Sequence, residues 1–258
     1  MSDSIGKWHS WCLNTDMNHL SDFPGETVIS SFHQVERMFQ DVLTHIPYVA
    51  EHENVWSPSL GIILLEACSQ LDSLWRFIVN NTPGAIVPPA GQHLNITHYH
   101  ENLGQRLGSQ WTVLWAQDGE RIEPFSSWQS PTYVPLDWWA AYNHVKHDRL
   151  AARTEATMRC AAHALAALFI NIVTYPPSLS HMARAGWVKK SVKPTSGLLL
   201  EGQPAELTFA ESDLFSYLVQ VDRKGYSGTR KQEAGTYGSY RFYLWIRDNM
   251  PNLDFNYG

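Results

Sequence analysis

From Glu26 onward, Val28, Phe32, Val35, Met38, Phe39 and Val42 recur at three- and four-residue steps, which predicts an amphipathic helix closing near Ile46-Pro47. A second start signal follows at Ser57-Pro58-Ser59. Behind it Leu60, Ile63, Leu64, Ala67, Leu71, Leu74, Trp75 and Ile78 form one apolar stripe, with Glu66, Gln70, Asp72 and Arg76 mostly on other faces. Asn80-Asn81-Thr82-Pro83-Gly84 ends it. Residues 81–136 are rich in Pro and Gly and read as an insertion. Within it Trp111–Trp115, Asp118-Gly119 and Ile122–Phe125 predict a small hairpin. Helical periodicity returns at Pro135, with Asp137 as the expected N-cap, and runs to about Val173. A single helix of that length is improbable on base rates, so a break is placed between Asp148 and Thr154, with Thr154 as a second N-cap. Beyond Tyr175-Pro176-Pro177 the period weakens. Short extended segments over 186–209, a short helix over Ala210–Val221, a Gly-rich loop over Asp222–Ser239 and a strand or helix over Tyr240–Ile246 are expected.

The pattern therefore predicts a mainly α chain. A lead-in spans 1–25, a helical domain with its insertion at 81–136 spans 26–175, and a mixed, irregular extension spans 176–258. A chain of 258 residues, 44% hydrophobic and 17% charged, fits a globular protein large enough to need no staple. The apolar runs Gly61–Leu65 and Ala161–Val173 fall short of the roughly 18 residues of a membrane span, so no membrane association is expected. Cys12, Cys68 and Cys160 form no paired framework, which points to a reducing, cytoplasmic setting and to small core residues. The net charge of −6 disfavours a surface that binds nucleic acid everywhere. It is unevenly spread, −8 over residues 1–180 and +2 over 181–258, so local phosphate contacts remain open.

Candidate chemistry concentrates in Trp138–Arg149. Asn143 and His147 stand four apart and project side by side on a helix, and Lys146 and Arg149 stand three apart on an adjoining face. An amide, an imidazole that titrates near neutrality and two cations suit a phosphodiester: His147 exchanges protons while Lys146 or Arg149 stabilises developing charge. The same Asn143 and His147 could instead cap a helix end or hold a buried junction. Trp138 and Trp139 read as core. His93, His98 and His100 invite a metal reading, but lack acidic or Cys partners at ligating spacing. Arg223–Lys231 reads as a solvated loop or a phosphate-touching arm. No phosphate-binding loop, nucleophile elbow or dinucleotide fingerprint occurs.

Tyr142-Asn143-His144-Val145-Lys146-His147 resembles the late-helix motif of the HEPN superfamily, in which Arg is commonly followed by Asn, Asp or His, then three to five residues and His. Here Tyr142 stands in place of the Arg, and Lys146 or Arg149 would supply the charge. Leu64–Arg76 is similar to the long early helix of bacterial HEPN-like proteins, with Asp72, or alternatively Glu66, as the acidic residue opposite the motif. The likeness covers about residues 28–173. It implies a HEPN-like helical bundle that cleaves or binds RNA, the cleavage being metal-independent, cofactor-free transesterification, in bacterial stress or phage defence as a toxin or effector. It further implies a homodimer and leaves room for a regulatory protein partner. Catalytic roles would fall to Asn143, His147, Lys146, Arg149, Asp72 and Tyr142. Tyr142 also supports a rival expectation, a non-catalytic HEPN-like interaction module; a His-dependent metal hydrolase is a third.

Overall fold

A computed structural model describes residues 23–108, 113–115, 121–190 and 206–222, and shows a mainly helical chain with one small antiparallel sheet. By contacts the chain divides into two units. One holds Glu26–Thr112 and Ile122–Ile172; the other holds Met1–Gly25, Val113–Arg121 and Val173–Gly258.

The first unit is the helical one. Helix α1 (Gly25–Leu43) buries Ile29, Phe32, Val35 and Phe39, the stripe its spacing predicts. Glu36 is buried on the same stripe, with the His33 imidazole 3.2 Å from its carboxylate. Helix α2 (Pro58–Asn80) starts where Ser57 accepts a hydrogen bond from the Leu60 amide at 3.2 Å. Pro58 occupies the first turn, where its missing N–H costs nothing. Its buried residues reproduce the predicted stripe from Leu60 to Ile78. The insertion contributes a helical stretch: α3 (Ile96–Tyr99), a π turn over His100–Gly104, and α4 (Gln105–Gly108). Helix α5 (Asp137–His147) and helix α6 (Met158–Val173) complete the unit.

Two N-cap expectations are corrected. Leu136 caps α5 without a side-chain bond, and Asp137 is its first helical residue. At α6 it is Thr157 that accepts from the Cys160 amide, at 3.2 Å, while Thr154 lies in a single 3-10 turn over Arg153–Glu155. The reason is a long-range one. Trp56 and Thr157 form an antiparallel bridge, and the Met158 and Arg159 amides donate to the Val55 and Glu53 carbonyls at 2.8 and 3.0 Å. The strand-like approach to α2 thus fixes where α6 begins.

Helix α6 is buried around most of its circumference, from Ala161 to Ile172, and is the central helix of the unit. Against the α2 side sits an aromatic cluster. Trp75 meets Tyr99, Phe125, Trp128 and Trp139 with ring centroids 5.1, 6.1, 5.8 and 5.3 Å away. Its indole N–H donates to Asn171 Oδ1 at 2.9 Å, and the Asn171 amide donates in turn to the Ala167 carbonyl.

The second unit carries a five-stranded sheet in the order β2-β1-β5-β4-β3, built from β1 (Val113–Trp115), β2 (Arg121–Ile122, at the edge of the unit), β3 (Val188–Lys190), β4 (Glu206–Glu211) and β5 (Phe215–Asp222). The predicted hairpin strands are adjacent, and β1 also pairs with β5, Trp115 opposite Phe215. The helix expected over Ala210–Val221 is instead the β4–β5 hairpin, turned by Ser212, whose amide donates to the Phe215 carbonyl at 2.9 Å. A short helix α7 (Leu179–Arg184) leads to Gly186, whose φ of 77° turns the chain into β3. The expectations for 1–22, for Asp118-Gly119, for the loop over 223–239 with its Arg223–Lys231 segment, and for Tyr240–Ile246 lie outside the described residues.

Candidate functional site

Helix α5 presents Trp138, Trp139, Ala141, Tyr142 and Val145 to the core, which leaves Asn143 half-buried at the edge of that face and His144, Lys146 and His147 exposed. The helix ends because Asp148 leaves helical geometry. Its amide still donates to the His144 carbonyl at 2.8 Å, and its carboxylate accepts from the Ala151 amide at 3.0 Å. His144, Lys146 and His147 lie in the last turn, where positive charge complements the helix dipole. Arg149 falls beyond the helix, exposed in the turn, so its expected helical spacing from Lys146 does not hold.

Asn143 and His147 therefore share one edge of a helix and are reached by solvent, with Lys146 beside them. The Lys146 ammonium lies 5.3 Å from the centroid of the Tyr142 ring, and that ring packs on Trp139 at 5.0 Å. Tyr142 is 6% exposed, so the residue standing where the family motif has Arg is a core aromatic. The His144 Nδ1–H donates to the Glu155 carboxylate at 2.7 Å, tying the helix end to the 3-10 turn before α6. Glu155 carries no periodic or motif signal in the sequence, and only the fold reveals it.

Asp72 on α2 faces other partners. Its carboxylate accepts from Arg76 at 2.6 Å and from the Tyr99 hydroxyl at 2.8 Å. Burial and this carboxylate together push the Tyr99 phenol well above its ordinary range. Among the described residues no hydrogen bond or ion pair joins Asp72 to Asn143, Lys146, His147 or Arg149. The alternative acid, Glu66, accepts from Gln70 one turn on.

Two histidines of the insertion have structural work, while His93 is exposed. His98 closes a capping box with Asn95, and His100 is buried edge-on to Trp128 and Tyr133. Among the described residues no group of three or more His, Cys, Asp or Glu is placed to hold a metal ion. No described helix is long and apolar enough to cross a membrane. A cleft of about 70 Å³ is lined by Glu123, Asp137, Arg159, Cys160 and His163, among others. Burial, reinforced by the Arg159 charge, brings His163 down to about 4, so its imidazole is neutral at pH 7. Burial pushes the Cys160 thiol up, which makes it a poor nucleophile.

Compared with family models, curated proteins and solved structures, the chain matches none.

Proposed function

We propose that this chain is an RNA-acting protein of the HEPN kind, with its chemistry carried by the end of α5. The observation that carries the reading is the wetted Asn143–His147 edge, one helical turn from amide to imidazole, with the cations Lys146 and Arg149 at hand. In this reading the His147 imidazole takes the proton of a ribose 2′-hydroxyl. The alkoxide oxygen attacks the adjacent phosphorus, a 2′,3′-cyclic phosphate forms as the bond from phosphorus to the 5′-oxygen breaks, and the 5′-oxygen takes its proton from water. Asn143 orients the phosphate and Lys146 or Arg149 stabilises its charge. Asp72 holds Arg76 and Tyr99 and is given no proton transfer. A homodimer, a regulatory partner and a role in bacterial stress or phage defence belong to the same reading.

RNA incubated with the pure protein and EDTA yields cyclic-phosphate ends, and His147→Ala removes at least about 100-fold of the rate, the scale of a lost general base. Unchanged cutting by that variant, or none by the parent protein, defeats the enzymatic reading. Tyr142 favours a second reading, a non-catalytic HEPN-like module. A core aromatic in the Arg position, with Lys146 resting on its ring, keeps the helix as scaffold. In that case the bundle binds a protein partner or a second copy of itself and cuts no RNA.

A further inference from the structure

Trp56 is an aromatic residue on a rigid mount that nonetheless remains open to solvent. Its backbone is bridged to Thr157, yet 41% of its surface is exposed. The Arg153 guanidinium lies 5.9 Å from its ring centroid and is fixed there by donating to the Leu150 carbonyl at 2.7 Å. Leu150, at the tip of the same turn, is 81% exposed. This turn begins at His147, so the indole and the cationic end of α5 belong to one connected surface. Nearby acids are partly engaged: Glu53 lies 3.8 Å from Arg159, and Glu155 pairs with His144. Lys146 and Arg149 are exposed at the end of α5 and in the turn, where the Asp148 carboxylate accepts from the Ala151 amide.

We infer that Trp56 is a base-stacking platform for single-stranded RNA, with Arg153 steadying the ring and joining Lys146 and Arg149 in receiving the flanking phosphates. The inference rests on the RNA-acting reading and extends it, because it names the feature that recognises bases and not merely charge. A fixed, amphipathic ring beside spaced cations is the arrangement that binds a single strand with little sequence preference. It also places the strand beside His147 without requiring any contact with the buried Tyr142.

The test uses the full chain, a fluorescein-labelled oligoadenylate and, as a polyanion without bases, labelled heparin. Trp56→Ala weakens oligoadenylate binding by about 5- to 100-fold and leaves heparin binding unchanged, while Trp56→Phe holds RNA affinity within about threefold of the parent. Thermal melts of both variants confirm folding, and Trp56→Phe keeps the test decisive should Trp56→Ala melt early. Equal oligoadenylate affinity in the parent and Trp56→Ala overturns the platform and leaves the RNA reading standing. Parallel loss of heparin and RNA binding in Trp56→Ala also overturns it, since charge placement alone would then be disturbed. A parent protein that binds no RNA removes both readings together.

Discussion

Asn171 lies at the centre of the helical unit, fully buried, with its carbonyl oxygen taking the Trp75 indole proton and its amide bonding one turn back on α6. An amide in such a place is tolerated only because both ends are satisfied. Asn171→Leu leaves the Trp75 N–H buried without an acceptor and costs about 2–3 kcal/mol in urea unfolding. Adding Trp75→Phe to that variant costs less than it does in the parent, because the orphaned donor is removed with the indole; a double-mutant cycle reads the coupling. Additive losses would mean that the bond contributes nothing. His163 acts through pH. Its folded value of about 4 lies below the ordinary 6.5, so between these values the unfolded chain binds the proton and the folded chain does not. Its stabilising contribution is complete above about pH 6.5 and fades as the pH falls toward 4. Arg159 adds to this penalty for protonation, whereas Asp137 and Glu123 line the same cleft with opposite charge. Discounted for partial solvation, the loss is on the order of 1–3 kcal/mol. His163→Leu, compared with the parent by urea unfolding at pH 7 and pH 5, flattens the dependence. An undiminished slope in the variant assigns the acid sensitivity to other groups.

At the scale of elements, α4 depends on a close approach at Gly108. A Cβ there would overlap the Trp128 carbonyl, a backbone atom that cannot swing aside. Gly108→Ala therefore costs about 2–3 kcal/mol by overpacking, whereas Gly61→Ala, where the new methyl would meet only the Ala156 Cβ at 3.6 Å, is expected to be mild; paired melting curves separate the two. Helices α1 and α2 were legible in the chain because their signals are local: an apolar stripe at 3.6-residue spacing, and Ser57-Pro58 at a start. The start of α6 was not, because it is set by the bridge from Trp56, a hundred residues away in sequence terms. Strand β5 escaped for a related reason. Ala210, Leu214, Leu218 and Val221 step like a helix, and only pairing with β4 and β1 decides for a strand. The candidate site divides in the same way. Asn143 and His147 could be read from one helix, whereas the partners of Asp72, the His144–Glu155 contact and the mount of Trp56 are tertiary facts.

For the molecule as a whole, charge sets the terms on which any polyanion is met. A net of −6 repels RNA at long range, so binding must be local, short-ranged and limited by how few cations the patch holds. Lys146, Arg149 and Arg153 offer three phosphate contacts at most, and each neutralised phosphate of a single strand contributes about −0.7 to the dependence of log K on log salt. The expected slope is therefore about −2, measured by titrating labelled oligoadenylate between low and physiological salt. Lys146→Ala with Arg149→Ala brings it to about −0.7 and weakens binding at every salt concentration, leaving the stacking contribution in place. A parent slope steeper than about −4 would require more cations than this surface carries and would move the RNA-binding surface elsewhere, to a segment such as Arg223–Lys231 with its own four charges. A slope near −2 that the double variant leaves unchanged would likewise displace the contact from the α5 end. Only a shallow slope that falls with these two residues agrees with a stacking platform flanked by a small cationic turn on an otherwise acidic protein.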